Sequence, residues 1–158
     1  KLTSKKLKNI YILLRIIVRL PKKGASKENN KLKLKVGYQK LIDIAENEVR
    51  GIRVSEASKL IENKDVVFVD VRDITEVKKH GEIPGSMHAP RGMLEFLIDP
   101  ESPYHRIFFS EEKTFIFYCA IGWRSVLAAK TVQDMGIEKV AHLIGGFHAW
   151  EASGEQCS

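Results

Sequence analysis

Apolar residues along the chain recur at two periods, one typical of helices and one typical of strands. Apolar residues three or four positions apart predict a first helix, which is expected to end at Gly51. Its apolar members are Tyr38, Leu41, Ile42, Ala45 and Val49. Residues 52–54 predict a short strand, and Ser55 predicts the N-cap of a helix over 56–63. The unbroken apolar run at 66–71 predicts a strand that is buried on both faces.

Beyond that run, the chain predicts short helices and strands in alternation. We expect a helix at 74–80, a turn at 81–85, a brief strand at 87–89 and one or two helical turns at 92–98. Residues 114–118 are β-branched and aromatic, which predicts a strand that ends at Cys119.

A loop at 120–124 then leads into a helix that Gly136 ends. The inward residues of this helix are predicted to be Ala128, Thr131, Val132 and Met135. The last elements are a strand at 140–143 and a helix that Gly145 and Gly146 open.

Phe147 and Trp150 lie three positions apart in that last helix, which predicts core packing. Because strands and helices alternate with short links, we predict an α/β fold, with a mostly parallel sheet covered by helices on both faces.

Charge divides the chain at about residue 36. Residues 1–36 carry a net charge of +11, whereas residues 37–158 carry a net charge of −5. We therefore expect a basic N-terminal extension at 1–36 and one folded domain at 37–158. A nucleic-acid-binding domain would carry a basic face of its own, so no nucleic-acid partner is expected.

The extension has three interpretations. Residues 10–20 are apolar except for Arg15 and Arg19, and Pro21 ends this stretch, which predicts an amphipathic basic helix. The extension is either disordered, a helix that makes weak contact with a membrane surface, or a mitochondrial-type targeting segment. No apolar run reaches the roughly 20 residues that a membrane-spanning helix needs. A cytoplasmic location is our first expectation, with mitochondrial or membrane-associated locations as alternatives.

Cys119 and Cys157 are too few for a disulfide framework, and the five histidines lack metal-binding spacing. We expect a reducing compartment, no metal, and an inert thiol at Cys157. Cys119 differs because it lies at the carboxyl end of a strand, where α/β sheets bind ligands. Backbone N–H groups of its loop, the following helix dipole and Arg124 all favour a thiolate there. The alternative is a structural, buried cysteine.

Four segments resemble the motifs of single-domain rhodaneses. They are Val-Asp-Val-Arg at 69–72, Gly-Glu-Ile-Pro-Gly-Ser at 81–86, Cys-Ala-Ile-Gly-Trp-Arg-Ser at 119–125 and Gly-Gly-Phe-His-Ala-Trp at 145–150. The resemblance covers about residues 52–152 and implies a rhodanese-like fold with a five-stranded sheet. It also implies a sulfurtransferase in which Cys119 carries a persulfide between two displacement steps.

The implied partners are a small anionic or persulfide sulfur donor and an acceptor that is a thiol or a protein. No cofactor is implied, because the persulfide is itself the carrier, and the oligomeric state stays open. Four residues separate Cys119 from Arg124, as in rhodanese-like sulfurtransferases, whereas related phosphatases have five. The alternatives are a non-catalytic module that docks partners and a small phosphatase of the same fold.

The resemblance also assigns an active-site loop around Cys119. The predicted loop residues are Ala120, Ile121, Gly122, Trp123, Arg124 and Ser125. Trp123 is expected to be partly exposed at the pocket mouth. Two positions depart from the family: Glu82 replaces a frequent histidine, and Ala120 replaces a basic residue common in thiosulfate-selective members. Thiosulfate is therefore expected to be a poor donor, and a bulkier persulfide donor fits the apolar Ile121 and Trp123 at least as well.

Three residues outside the loop are further candidates. Arg72 is predicted to contact the substrate anion or, alternatively, to form a structural ion pair with Glu76. Asp70 is predicted to hold the loop backbone near the site. Arg91 either reaches the same edge of the sheet or is a solvated surface residue.

Overall fold

Five short strands form one parallel sheet in residues 34–158, the part of the chain that this computed structural model describes. The strands are β1 (Arg50–Ile52), β2 (Val66–Asp70), β3 (Met87–His88), β4 (Thr114–Tyr118) and β5 (Val140–Leu143). They are arranged in the order β1-β5-β4-β2-β3, and every neighbouring pair is parallel. The predicted α/β fold with a parallel sheet is confirmed.

Six helices connect or flank these strands within residues 34–158. They are α1 (Tyr38–Glu48), α2 (Val54–Ala57), α3 (Ile74–His80), α4 (Leu94–Ile98), α5 (Trp123–Asp134) and α6 (Gly146–Ala152). Single 3₁₀ turns occur at Ser58–Leu60, Arg91–Met93 and Ile107–Ser110. The helix predicted at 10–20 lies outside the described residues.

Side chains that alternate along the strands divide the core into two layers. Phe115, Phe117 and Cys119 face the layer covered by α1, α4 and α5. Ile116 and Tyr118 face the opposite layer, which α2 and α6 cover. This alternation is the period of two that a strand imposes, and it shows which helices Cys119 faces. Phe147 and Trp150 of α6 are fully buried, as predicted.

Several predicted boundaries near the N-terminal side of the domain are wrong. The first helix ends at Glu48, and Gly51 lies inside β1 rather than at a helix end. The strand predicted at 52–54 is Arg50–Ile52, because these residues pair in register with Ala141 to Leu143 of β5. The next helix begins at Val54, so Ser55 is not its N-cap. Pairing with a distant strand decided these boundaries.

Three residues assigned to the core by periodicity are exposed. Tyr38, Leu41 and Met135 are between 41% and 62% exposed. Tyr38 instead lies against Trp123, with ring centroids 5.7 Å apart. Only part of each predicted apolar stripe meets the sheet, so the helices bury a narrower face than the pattern suggests.

Candidate active site

Cys119 follows β4 directly and is almost completely enclosed. Its exposed fraction is 1%, and its Sγ accepts a hydrogen bond from the backbone N–H of Gly122 at 3.2 Å. An N–H group that points at sulfur stabilises negative charge there. The thiol thus lies at the carboxyl edge of the sheet, in the position predicted from the sequence.

The turn that follows Cys119 is tighter than the predicted loop at 120–124. Gly122 has a φ of 99° and is the N-cap of α5, so Trp123 and Arg124 already belong to the helix. Such a positive φ strongly favours glycine. The hydroxyl of Ser125 donates to the Gly122 carbonyl at 2.9 Å and is fully buried. Ser125 therefore holds the shape of the loop rather than facing its opening.

The start of α6 supports this loop from the opposite layer. Phe147 N–H donates to the Cys119 carbonyl at 2.7 Å, and His148 N–H donates to the Ala120 carbonyl at 3.0 Å. Gly146 makes this approach possible, because a Cβ there would lie 2.3 Å from the Cys119 oxygen. The φ of Gly146 is also positive, at 62°.

Arg124 is engaged by a residue that the sequence analysis did not assign to it. Its guanidinium donates two hydrogen bonds to the Glu76 carboxylate, at 2.6 and 2.7 Å. Glu76 is placed by a capping box with Asp73 at the start of α3, and the Asp-x-x-Glu spacing is the sequence signal that could have found it. The Arg124 hydrogen bonds lower the pKa of Glu76 to about 2.

This pairing adds a carboxylate to the electrostatics predicted for the loop. The same two hydrogen bonds raise the pKa of Arg124, so both partners stay charged and their charges largely cancel. An anion at Cys119 therefore meets a neutralised ion pair rather than an isolated cation.

Arg72 forms a structural ion pair, but with Asp70 and not with Glu76. Both side chains are buried, at 2% and 0% exposure, and their closest contact is 2.6 Å. Arg72 also donates to the Gly81 carbonyl at 2.7 Å, and its guanidinium lies 4.1 Å from the Phe147 ring centroid. Asp70 accepts the Arg72 backbone N–H, so it holds the backbone beyond β2 as predicted. The geometry favours the structural alternative for Arg72.

Arg91 is not brought to the Cys119 loop by its side-chain contacts. Its guanidinium pairs with Glu95 at 2.9 Å and donates to the hydroxyl of Thr131 at 3.1 Å. Trp123, in contrast, is 47% exposed beside the loop, which confirms the predicted exposure. Ile121 is similarly exposed, so the rim next to Cys119 is apolar.

Residues 34–158 contain neither a metal-binding cluster nor a helix that could span a membrane. No group of three or more His, Cys, Asp or Glu side chains in that range could hold a metal ion. No helix there has the length and hydropathy needed to cross a membrane. Cys157 is an exposed free thiol.

The enclosed cysteine beyond a central parallel strand and the tight loop into a helix agree with the resemblance to rhodaneses. The family model for the rhodanese-like domain matches residues 53–153. The chain belongs to the rhodanese-like domain family.

Two curated relatives carry sulfurtransferase names. Mouse thiosulfate sulfurtransferase/rhodanese-like domain-containing protein 3 is 30% identical over 106 residues, which is 64% of this chain and 68% of the mouse protein. Thiosulfate sulfurtransferase GlpE of Pseudoalteromonas translucida is 30% identical over 105 residues, which is 66% of this chain and 90% of that protein.

One solved structure carries a different description. A Rhodopseudomonas palustris protein of unknown function, described as a possible tyrosine phosphatase, matches with 44% identity and a TM-score of 0.78. The match covers 85% of this chain and all of that protein (100%).

Proposed function

We propose that this protein is a sulfurtransferase that carries sulfane sulfur as a persulfide on Cys119. The observation that carries the proposal is the Gly122 N–H directed at Sγ at 3.2 Å inside a loop of four residues between Cys119 and Arg124. A second support is the sulfurtransferase names of relatives that are 30% identical to this chain.

The chemistry is a double displacement. The Cys119 thiolate attacks the outer sulfur of thiosulfate, an S–S bond forms, and sulfite leaves with the electron pair of the broken S–S bond. An acceptor thiolate then attacks the outer sulfur of the persulfide, and Cys119 leaves as the thiolate. The Gly122 N–H lies where charge returns to Sγ in this second step.

The ion pair between Arg124 and Glu76 supports one class of sulfur donor over another. Because Glu76 occupies its guanidinium, a dianion such as thiosulfate gains little from this cation. The apolar rim of Ile121 and Trp123 suits an organic persulfide better. We therefore propose a persulfide as the better donor, with a thiol or a protein as acceptor.

Phosphatase activity is the second candidate, favoured by the description of the Rhodopseudomonas palustris structure. A phosphoryl group needs donors for three oxygens. Here the loop is one residue shorter than the resemblance implies for phosphatases, and the Arg124 guanidinium is already bound to Glu76. Both features favour sulfur over phosphate.

The deciding experiment is the intact mass of the full chain after treatment with thiosulfate or a persulfide donor. We expect a gain of one sulfur atom that the variant Cys119→Ser loses and the matched variant Cys157→Ser keeps. Hydrolysis of p-nitrophenyl phosphate is measured in parallel and is expected to be absent. Phosphate release without any sulfur adduct would favour the phosphatase, and neither activity would favour the docking module.

A further inference from the structure

A cavity of about 440 Å³ lies beside the Cys119 loop and shares Ile121, Gly122 and Trp123 with it. It opens between α1, the β1 and β5 strands and the turn after β5. Glu46, Ile121, Trp123, His142 and Ile144 contribute side chains to its wall.

His142 is an unusual wall residue because it is buried without a complete set of partners. It is 5% exposed, and its Nδ1 finds no hydrogen-bond partner among residues 34–158. Burial lowers the pKa of His142, so the ring is neutral near pH 7. Its Nε2 points towards Gly51, since a Cβ built there would lie 3.4 Å from it. Because Nδ1 is enclosed by protein, the ring edge at Nε2, beside the cavity-lining Gly51, is the side of His142 that a ligand in the cavity can reach.

The cavity and the thiol lie on the same face of the sheet. His142 of β5 is in register with Phe117 of β4, and Cys119 is two residues further along that strand on the same face. Strand spacings place the Cα atoms of His142 and Cys119 about 8 Å apart. Gly122 joins the two regions, because it lines the cavity and its N–H donates to Sγ.

Charge around the cavity favours a cation. Among the lining residues supplied by the described part of the chain, Glu46 is the charged one, and none is Lys or Arg. Two cations of α5, the helix that Trp123 begins, pair with other carboxylates, Arg124 with Glu76 and Lys130 with Glu48. The exposed face of Trp123 adds an aromatic surface that attracts an ammonium group.

We propose that this cavity is the acceptor site and that it selects small aminothiols, which carry an ammonium group near the thiol. The ammonium group binds Glu46 and Trp123, His142 hydrogen-bonds the ligand, and the thiolate faces Cys119. This inference rests on the proposed sulfur transfer. The acceptor thiolate bonds to the outer sulfur of the persulfide while the Sγ–S bond breaks. Cys119 leaves as a thiolate, the acceptor departs as its persulfide, and the acceptor's thiol proton goes to water.

The test uses the full chain, loaded as the persulfide and freed of donor, in single-turnover reactions followed by intact mass. The acceptors are cysteamine, 2-mercaptoethanol and 3-mercaptopropionate, which differ in charge, and rates are compared per thiolate. We expect cysteamine to react about five times faster than 2-mercaptoethanol, and 3-mercaptopropionate to be slowest. Glu46→Gln should abolish this order.

The matched control is Glu48→Gln, which removes the same charge from α1 at a residue that faces Lys130 instead of the cavity. This control should keep the order of acceptors. An equal rate per thiolate for all three acceptors, or an order that persists in Glu46→Gln, would overturn the proposal.

A binding measurement separates this proposal from the sulfur chemistry. Propylamine, which has no thiol, should shift the Trp123 indole and His142 ring signals in NMR spectra, whereas propanol should not. Glu46→Gln should remove the shift. If no persulfide forms with any donor, the proposed function fails, and the amine titration still decides whether the cavity binds a cation. No shift with propylamine would refute the site.

Discussion

Removal of the Glu76 charge should increase the use of anionic sulfur donors. Glu76→Gln is the suitable change, because glutamine can keep the capping box with Asp73 at the start of α3. It leaves Arg124 in place as a cation that no carboxylate neutralises. The donor anion, which approaches Cys119, then experiences one negative charge fewer.

The size of the effect follows from Coulomb's law. A donor charge on the far side of Arg124 lies about 8 Å from the Glu76 carboxylate, which corresponds to about 0.5 kcal/mol in water and about 2 kcal/mol at an effective dielectric constant of about 20. Arg124 and Glu76 side chains are 41% and 32% exposed, and salt screens them further, so the lower figure applies. The dianion thiosulfate should gain about 1 kcal/mol, or about fivefold in kcat/KM.

The assay compares two donors that differ by one charge. Thiosulfate carries two negative charges and methanethiosulfonate carries one, and both transfer the same outer sulfur. For methanethiosulfonate we expect a gain of only about twofold, from the same 0.5 kcal/mol for its single charge. Glu62→Gln is the matched control, because Glu62 is exposed and precedes β2, at the opposite edge of the sheet from Cys119.

The electrostatic explanation predicts unequal effects on the two donors, whereas a positioning role for Glu76 predicts equal effects. If Glu76 mainly holds Arg124 in position, Glu76→Gln would slow both donors by a similar factor. Equal changes for the two donors, or a loss with thiosulfate, would therefore refute the reasoning. High salt should reduce the difference between the donors.

Two further predictions concern stability. Gly146→Ala should destabilise the fold by about 3 kcal/mol and lower Tm by about 10 °C, since its Cβ would lie 2.3 Å from the Cys119 carbonyl oxygen. Gly154→Ala, which has a similar φ of 77° and nothing within 4 Å, should cost much less in the same thermal melts; equal losses would show that the close approach is unimportant. The Glu76 carboxyl has a pKa of about 2 in the folded protein and 4.5 as its ordinary value, so its ion pair stabilises the fold above about pH 4.5 and is lost as pH falls towards 2. Urea unfolding of wild type and Glu76→Gln should therefore differ at pH 6 and converge at pH 2, and a constant difference would contradict the assignment.

The amino-acid sequence alone was sufficient for the fold class and for the position of Cys119 at the carboxyl end of a strand. Runs such as 66–71 and 114–118 predict buried strands because their apolar character is local. Three of the predicted elements match the observed bounds, Ile74–His80, Thr114–Tyr118 and Val140–Leu143. Cys119 could be placed at the carboxyl end of a strand for the same reason. Local patterns do not specify partners, which explains why β1 was misplaced until its pairing with β5 was known.

Only the tertiary structure decided which charges meet. Arg124 and Glu76 are 48 positions apart, and nothing in either local pattern distinguishes this pair from the predicted pair of Arg72 and Glu76. The cavity beside His142 is likewise formed by the β4–β5 register and the position of α1, neither of which a local pattern specifies. The sequence determines which charged and polar side chains are present. The distances between them, and therefore the strength of their interactions, depend on packing between elements far apart in the chain.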